Sequence, residues 1–258
     1  MSQIHTEVRN HILYIGLNRP EKYNAFSLAM LDGLSDAFTR LDEDPELRVA
    51  LLYGTGDHFT SGLDLGEVGP AVAGNQRGLF DPQKINPLRT EGRQTNKPVV
   101  MAVQGYCYTI GMELVLANDI CVAHQDTQFG QIEIKRGIFP FGGGTFRMPQ
   151  RVGWGNAMRY LLTGDSFDGR EAYRIGMIQE ITEENPFDRA EAICQTIAAQ
   201  APLGVQESIR SARLAMEKGE QAAIDELLPR ARWIMQTEDA AEGLHSFLER
   251  RQAKFRGK

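Results

Sequence analysis

The chain has 258 residues. At about 150 residues per domain that suits one large α/β domain or a domain with a smaller appendage, and it excludes a disulfide-stapled mini-protein. Its 42% hydrophobic and 24% charged residues match ordinary globular usage and exclude intrinsic disorder. With 28 Lys plus Arg against 34 Asp plus Glu the net charge is −6, so no global positive field draws it onto nucleic acid or anionic lipid.

Residues 3–8 and 11–17 are apolar or β-branched with partial alternation around Arg9-Asn10, which predicts an opening hairpin. After Pro20, Ser27 is placed to cap a helix. Its apolar positions Leu28, Leu31, Leu34, Phe38 and Leu41 recur at helical spacing until Asp44-Pro45 ends it. A strand of buried type follows over 48–53. From Gly66 to Asn96 the periodicity fails among Gly, Ala, Pro and Asn, and a connection of that length reads as a lid. A strand over 99–103, Gly105, a helix over 111–118 and a strand over 120–123 come next, and this alternation argues for an α/β fold. Beyond Gly142 helical patterns dominate, at 153–162, 168–175, 186–200, 204–217 and 220–250, with one short strand over 177–181. The organisation expected is a core over 1–200 and a helical region over 201–258.

Cysteines at 107, 121 and 194 fit neither a disulfide framework nor a zinc site and read as buried hydrophobes in a reducing compartment. The opening MSQIHTEVRN carries no basic-then-apolar leader and no Arg/Ser-rich one, so the expected location is cytoplasmic. No apolar stretch reaches the ~18 residues that suggest a membrane span.

Several chemistries can be set aside. Gly54-Thr55-Gly56 follows a strand, but Phe59 stands where a dinucleotide fingerprint needs its third glycine. Gly142-Gly143-Gly144 leads into Thr145-Phe146 with no Gly-Lys pair, so it is not a P-loop. There is no Gly-x-Ser-x-Gly elbow and no His-Glu-x-x-His helix, and the histidines at 5, 11, 58, 124 and 245 are too scattered to predict a metal site. What stands out is glutamate in apolar company: Glu113 within Ile110-Gly111-Met112-Glu113-Leu114-Val115-Leu116, and Glu133 between Ile132 and Ile134. A buried carboxyl has a raised proton affinity and can exchange a proton near neutrality. Spacing alone leaves the ordinary alternatives open, namely a first-turn helix charge for Glu113 and a solvent-facing strand position for Glu133.

Further blocks join these two. They are Asn18-Arg19-Pro20-Glu21-Lys22-Tyr23-Asn24-Ala25-Phe26, Phe59-Thr60-Ser61-Gly62-Leu63-Asp64-Leu65, Gln104-Gly105-Tyr106, Phe129-Gly130-Gln131-Ile132-Glu133, Gly142-Gly143-Gly144-Thr145 and Leu161-Leu162-Thr163-Gly164-Asp165, closed by a tail from Thr237 to Arg251. In this order, over nearly the whole chain, they resemble the enoyl-CoA hydratase/isomerase, or crotonase, superfamily. The resemblance implies a crotonase-like ββα spiral core with a helical C-terminal region. It also implies an acyl-CoA thioester substrate whose carbonyl oxygen is held by two backbone N–H groups, here those of Leu63 and Ile110. Ile110 would open a helix, where unpaired N–H groups and the dipole favour an oxyanion.

Glu113 and Glu133 match the two glutamates that hydratases of the family use. The resemblance assigns Glu113 to the water that adds at C3 and Glu133 to the proton delivered at C2. Leu63, Asp64, Leu65 and Gly66 match the loop lining the adenine and pantetheine of CoA, with Arg19, Lys22 and Ala25 beside it and the two cations near its phosphates. Asp64 has the alternative of a helix cap, and Arg19 and Lys22 that of a solvated turn. Gly142 to Gly144 would supply close backbone packing beside the acyl end. No tightly bound cofactor or metal is implied, CoA entering as part of the substrate.

Two positions depart from the family pattern. Thr109-Ile110-Gly111 replaces a run of glycines, and Phe141 stands where hydratases carry glycine and dienoyl-CoA isomerases aspartate. The activity implied is reversible hydration of a 2-trans-enoyl-CoA. The alternatives are a 3,2-enoyl-CoA isomerase, a specialised acyl-CoA lyase of the same fold, or a non-catalytic acyl-CoA-binding protein. The assembly implied is a homotrimer or a dimer of trimers. Its contacts would come from Leu227, Leu228, Trp233, Ile234, Leu244, Phe247 and Leu248, unless these fill an intramolecular core.

Overall fold

The computed structural model describes residues 2–74 and 78–258. Strands β1 (Ile4–Arg9) and β2 (Ile12–Leu17) form the opening antiparallel hairpin. Its turn is Asn10-His11, one residue later than Arg9-Asn10. A two-residue loop that matches strand twist needs positive φ at both positions, and these two adopt 49° and 66°. Helix α1 (Leu28–Glu43) is capped by Ser27 Oγ, which accepts from Met30 N at 3.1 Å, and it ends where Asp44 turns extended before Pro45.

Strand β3 (Val49–Gly54) leads to the stretch expected to be a lid, and here the structure differs. It begins as helix α2 (Leu65–Ala73), a helix masked in the pattern by Gly66, Gly69 and Pro70. Residues 75–77 of that stretch lie outside the described residues. From Gly78 to Asn96 there is no regular helix or strand beyond a bridge between Ile85 and Arg93. Yet Phe80, Ile85 and Leu88 are buried, and Ile85 bonds α1 twice: its carbonyl accepts from Ser35 Oγ at 2.7 Å and its N–H donates to Thr39 Oγ1 at 2.9 Å. This part is a strap packed on the body.

Strands β4 (Val99–Val103), β5 (Tyr106–Tyr108), β6 (Ile120–His124) and β7 (Gln128–Gly130), with helix α3 (Ile110–Ala117) between β5 and β6, complete the middle of the chain. The last strand, β8 (Glu180–Thr182), starts later than the predicted 177–181 because Met177 N still closes the preceding helical turn onto Ala172 O at 2.9 Å. The main sheet runs β1-β2-β3-β4-β6-β8, parallel from β2 onward, and β5 pairs with β7 in a small second sheet.

The inner strands are buried on both faces, as parallel strands covered by helices must be. Leu13, Ile15, Leu52, Met101 and Val103 join the larger core, which includes the apolar face of α1. Their alternates Ile12, Tyr14, Leu51 and Val100 pack with Ala190, Cys194 and Ala198 of helix α7 (Pro186–Ala198). All three cysteines are buried and free.

Helices α4 (Gly144–Val152), α5 (Trp154–Thr163) and α6 (Gly169–Arg174) precede β8, and α8 (Pro202–Lys218), α9 (Glu220–Ile234) and α10 (Glu238–Glu249) follow α7. The single helix predicted over 220–250 is two, because Thr237 Oγ1 caps α10 by accepting from Ala240 N at 3.1 Å. Arg213 pins α8 to the core through Asp119 at 2.6 Å and the Thr95 carbonyl at 2.7 Å. Leu227, Leu228, Trp233, Leu244, Phe247 and Leu248 are exposed, so these six do not form an intramolecular core. Among the described residues no helix is long and apolar enough to cross a membrane.

Candidate active site

The block from Asn18 to Phe26 is a scaffold. Buried Asn24 accepts from Arg19 N at 2.8 Å and donates to the carbonyls of Thr55 and His58 at 2.9 and 2.7 Å, and its own carbonyl takes the Thr60 hydroxyl at 2.7 Å. Phe26 then bridges the loop that carries Leu63. Phe26 N donates to Gly62 O at 2.8 Å and Asp64 N to Phe26 O at 2.9 Å. These bonds use the groups on either side of Leu63, whose own N–H has no acceptor among the described residues.

Opposite this loop, Thr109 N donates to Gly130 O at 2.8 Å and the chain turns sharply into α3. Thr109 adopts φ 49° and ψ −113°, a conformation for which a β-branched residue is badly suited, and its Oγ1 is buried without a partner. The turn leaves Ile110 as the first residue of α3, so its N–H is one of the unpaired donors of a helix start. Thr109 therefore accompanies a free N–H at 110 at the cost of local strain.

Glu113 lies in the first turn of α3 and is buried. Its Oε1 accepts from Gly142 N at 2.7 Å and Gly144 N at 3.0 Å. Burial raises its proton affinity, while these two N–H groups and the nearby Arg147 charge oppose the rise. The glycine run is thus a cradle for a carboxylate rather than packing beside an acyl group. A Cβ at 142 would lie 2.3 Å from Glu113 Oε2.

Glu133 does not stand on a strand. It opens a 3-10 turn (Glu133–Arg136) and is buried, while its neighbour Ile134 faces outward. Burial, reinforced by the charge of Glu113, pushes its pKa up to about 7. Fully buried Gln131, its amide nitrogen turned to this carboxyl, donates to Oε1 at 2.8 Å and Oε2 at 3.1 Å. The sequence motif Phe129–Glu133 assigned Gln131 no role. A polar residue amid Phe129, Gly130 and Ile132 was the signal for one.

Both carboxyls line one cavity of about 180 Å³, together with Leu63, Leu65, Ile110 and Phe141. It also takes in Thr109, Arg136 and Ile138, which the sequence reading gave no place in the site. Phe141 meets Phe139 edge to face with centroids 6.5 Å apart. Arg19, Lys22, Ala25, Asp64 and Gly66 do not line the cavity. The Arg19 guanidinium donates through Nη1 to Ala25 O and Asp64 Oδ2 at 3.0 Å each, so it clamps two loops. Lys22 is exposed on the 3-10 turn Pro20–Lys22, and Gly66 is exposed on α2. Among the described residues no group of three or more His, Cys, Asp or Glu is placed to hold a metal ion.

Buried acid, free N–H groups and an apolar wall make a site for proton transfer to and from a molecule whose developing oxyanion is held by the backbone. Comparison with known proteins points the same way. The family model described as enoyl-CoA hydratase/isomerase matches residues 7–258. Relatives include the enoyl-CoA hydratase EchA19 of Mycobacterium tuberculosis, 32% identical over 98% of this chain and 96% of that protein. Another is the (E)-benzylidenesuccinyl-CoA hydratase of Thauera aromatica, 33% identical over 97% and 98%. Among solved structures, a probable enoyl-CoA hydratase/isomerase from Mycobacterium abscessus superposes with a TM-score of 0.95 at 47% identity over 99% of each chain. An enoyl-CoA hydratase from Mycobacterium tuberculosis H37Rv superposes at 0.89 with 32% identity over the full length of both.

Proposed function

We propose that this chain, which belongs to the enoyl-CoA hydratase/isomerase family, hydrates a 2-trans-enoyl-CoA to the 3-hydroxyacyl-CoA. The observation that carries this reading is the pairing of two buried carboxyls on one small cavity with two N–H groups that have no acceptor among the described residues. In this reading the thioester oxygen sits between the N–H groups of Leu63 and Ile110, and one such donor is worth about 2.7–4 kcal/mol of transition-state stabilisation in a comparable acyl transfer. Ionised Glu113 takes a proton from water as its oxygen bonds to C3. The C2–C3 π electrons move toward C1 and an oxyanion forms. The enolate collapses by taking the Glu133 proton at C2. Water has then been added whole, and one proton must return from Glu113 to Glu133 before the next turn. Because the carboxyls act on one water they titrate as a pair.

Further parts of the reading concern binding. Leu63, Asp64, Leu65 and Gly66 would carry the adenine and pantetheine, with Lys22 as the cation available to the phosphates. The activation comes from the thioester and its oxyanion pocket, and CoA enters as part of the substrate. The exposed apolar side chains of α9 and α10 would pack on further copies, as a trimer or dimer of trimers, and light scattering would give three or six times the mass of one chain.

The test follows the ultraviolet absorbance of the conjugated enoyl thioester. Hydration removes it, whereas isomerisation would create it from a 3-enoyl-CoA. Glu113→Gln and Glu133→Gln should each lose about 10²-fold or more in kcat with the fold intact. A wild-type turnover no better than that of Glu133→Gln would mark a binder without catalysis, and undiminished activity in either variant would overturn the two-carboxylate mechanism.

A further inference from the structure

We infer that Arg136 selects acyl groups ending in a carboxylate, so that the substrate class is the 2-enoyl-CoA carrying a second acid at the far end of its acyl chain. This rests on the hydratase reading of the same cavity.

Arg136 closes the 3-10 turn that Glu133 opens. Both residues line the cavity, Glu133 buried and Arg136 exposed, so the arginine stands at the cavity's mouth. Next to them the wall is apolar, through Ile138 and Phe141. Other arginines around the site are occupied by the protein. Arg147 donates to the carbonyls of Gly142 and Arg89, Arg151 to those of Val115 and Leu116, and Arg19 to Asp64. The Arg136 guanidinium makes no ion pair or hydrogen bond with the side chain of Glu133 or with any other described residue.

That separation matters, because a guanidinium paired with Glu133 would hold it ionised and spoil it as a proton donor. Standing clear of Glu133 on the same wall, the cation is placed for a group beyond the reacting carbons. A carboxylate matches it best: the planar fork of guanidinium donates to two oxygens at once, and a charged partner strengthens each bond. The phosphates of CoA are the other anions in reach of such a site. Its place on the turn that carries Glu133, with Ile138 and Phe141 on the same cavity, favours the acyl end.

The test uses two 2-trans-enoyl-CoA thioesters of equal chain length, one ending in methyl and one in carboxylate, with the wild type, Arg136→Gln and Arg136→Lys. The wild type should favour the carboxylate ester in kcat/KM by about 2- to 5-fold, the range of an ion pair at a solvent-exposed arginine. The preference should fall to about one in Arg136→Gln, return in part in Arg136→Lys, and weaken with added salt. Equal efficiency with both esters in the wild type would overturn the assignment. An equal loss for both esters in Arg136→Gln would also overturn it and place the arginine on CoA. If neither ester is hydrated, the hydratase reading fails, and calorimetry with the saturated analogues of the two thioesters still decides whether Arg136 prefers the acid.

Discussion

Gly142→Ala is the sharpest test of how Glu113 is held. The added Cβ would lie 2.3 Å from Glu113 Oε2, 2.8 Å from its Cδ and 2.7 Å from Leu88 Cδ1, against ordinary contacts that begin at 3.4 Å. Leu88 is fully buried and cannot swing away, so the carboxylate must yield. The shift required is about 1 Å, a displacement that costs on the order of 10²-fold when it misplaces a reacting group. It also breaks the 2.7 Å bond from Gly142 N. A hydrogen bond to a charged group is worth about 1.5–3 kcal/mol, so that loss alone points to a similar factor. The expected result is a kcat lower by about 10²-fold, with KM little changed because no contact to the CoA segment is touched. The decisive assay repeats the substitution in a Glu113→Gln background. If Gly142 acts through Glu113, the second change adds little there. Losses that multiply in full, or a Gly142→Ala enzyme with normal turnover, would refute the cradle.

Three further outcomes follow from the site. Glu133 is pushed up to about 7 from an unfolded value of 4.5, so between those pH values the native state holds a proton that the unfolded chain has lost. Stability then falls as pH rises across this window, by about 3 kcal/mol in all. Glu133→Gln removes the term. Its stability relative to wild type, read by urea unfolding, should climb by that amount from pH 4.5 to above 7, and a difference flat in pH would refute the assignment. In the hydration direction kcat/KM should decline as Glu133 ionises near 7. At the turn into α3, Thr109→Gly should raise unfolding stability by about 1–2 kcal/mol, since relieved strain and a deleted unpaired hydroxyl outweigh the entropy of glycine. An unchanged or lower stability would mean that position 109 is not strained.

The legible parts of the fold were those written in local chemistry. Ser27 with its helical stripe gave α1 nearly to the residue, and the apolar runs at 48–53 and 99–103 gave two core strands. What escaped was decided by partners far along the chain. β5 and β7 are three residues each and exist because they pair with one another. The strap at 78–96 looked like a lid because its anchors, Ser35 and Thr39, lie on α1 some 50 residues away. The helix α2 hid behind glycine and proline. In the site, Glu113 and Glu133 were visible as acids in apolar company, and Leu63 and Ile110 came from the resemblance. The clamp made by Arg19 was not legible, because an arginine near a lysine does not reveal that Asp64, 45 residues later, will pair with it.

The same distinction governs the division of labour between the two acids. Burial alone would raise both carboxyls and leave them interchangeable. The asymmetry comes from outside each motif. Glu113 Oε1 receives two N–H groups from Gly142 and Gly144, 29 and 31 residues on, and Arg147 lies near, so its anion is the favoured form of the two. Glu133 has the amide of Gln131 and its own N–H for support, and it faces the charge of Glu113. These contacts favour Glu133 over Glu113 as the holder of the proton that the pair shares near neutrality, which is the arrangement the proposed hydration would need, with Glu113 as base and Glu133 as acid. With Glu133 titrating at about 7, protonated and ionised forms are comparably populated at that pH. In the proposed reaction, dehydration would draw its base from the second population, so one site would serve both directions.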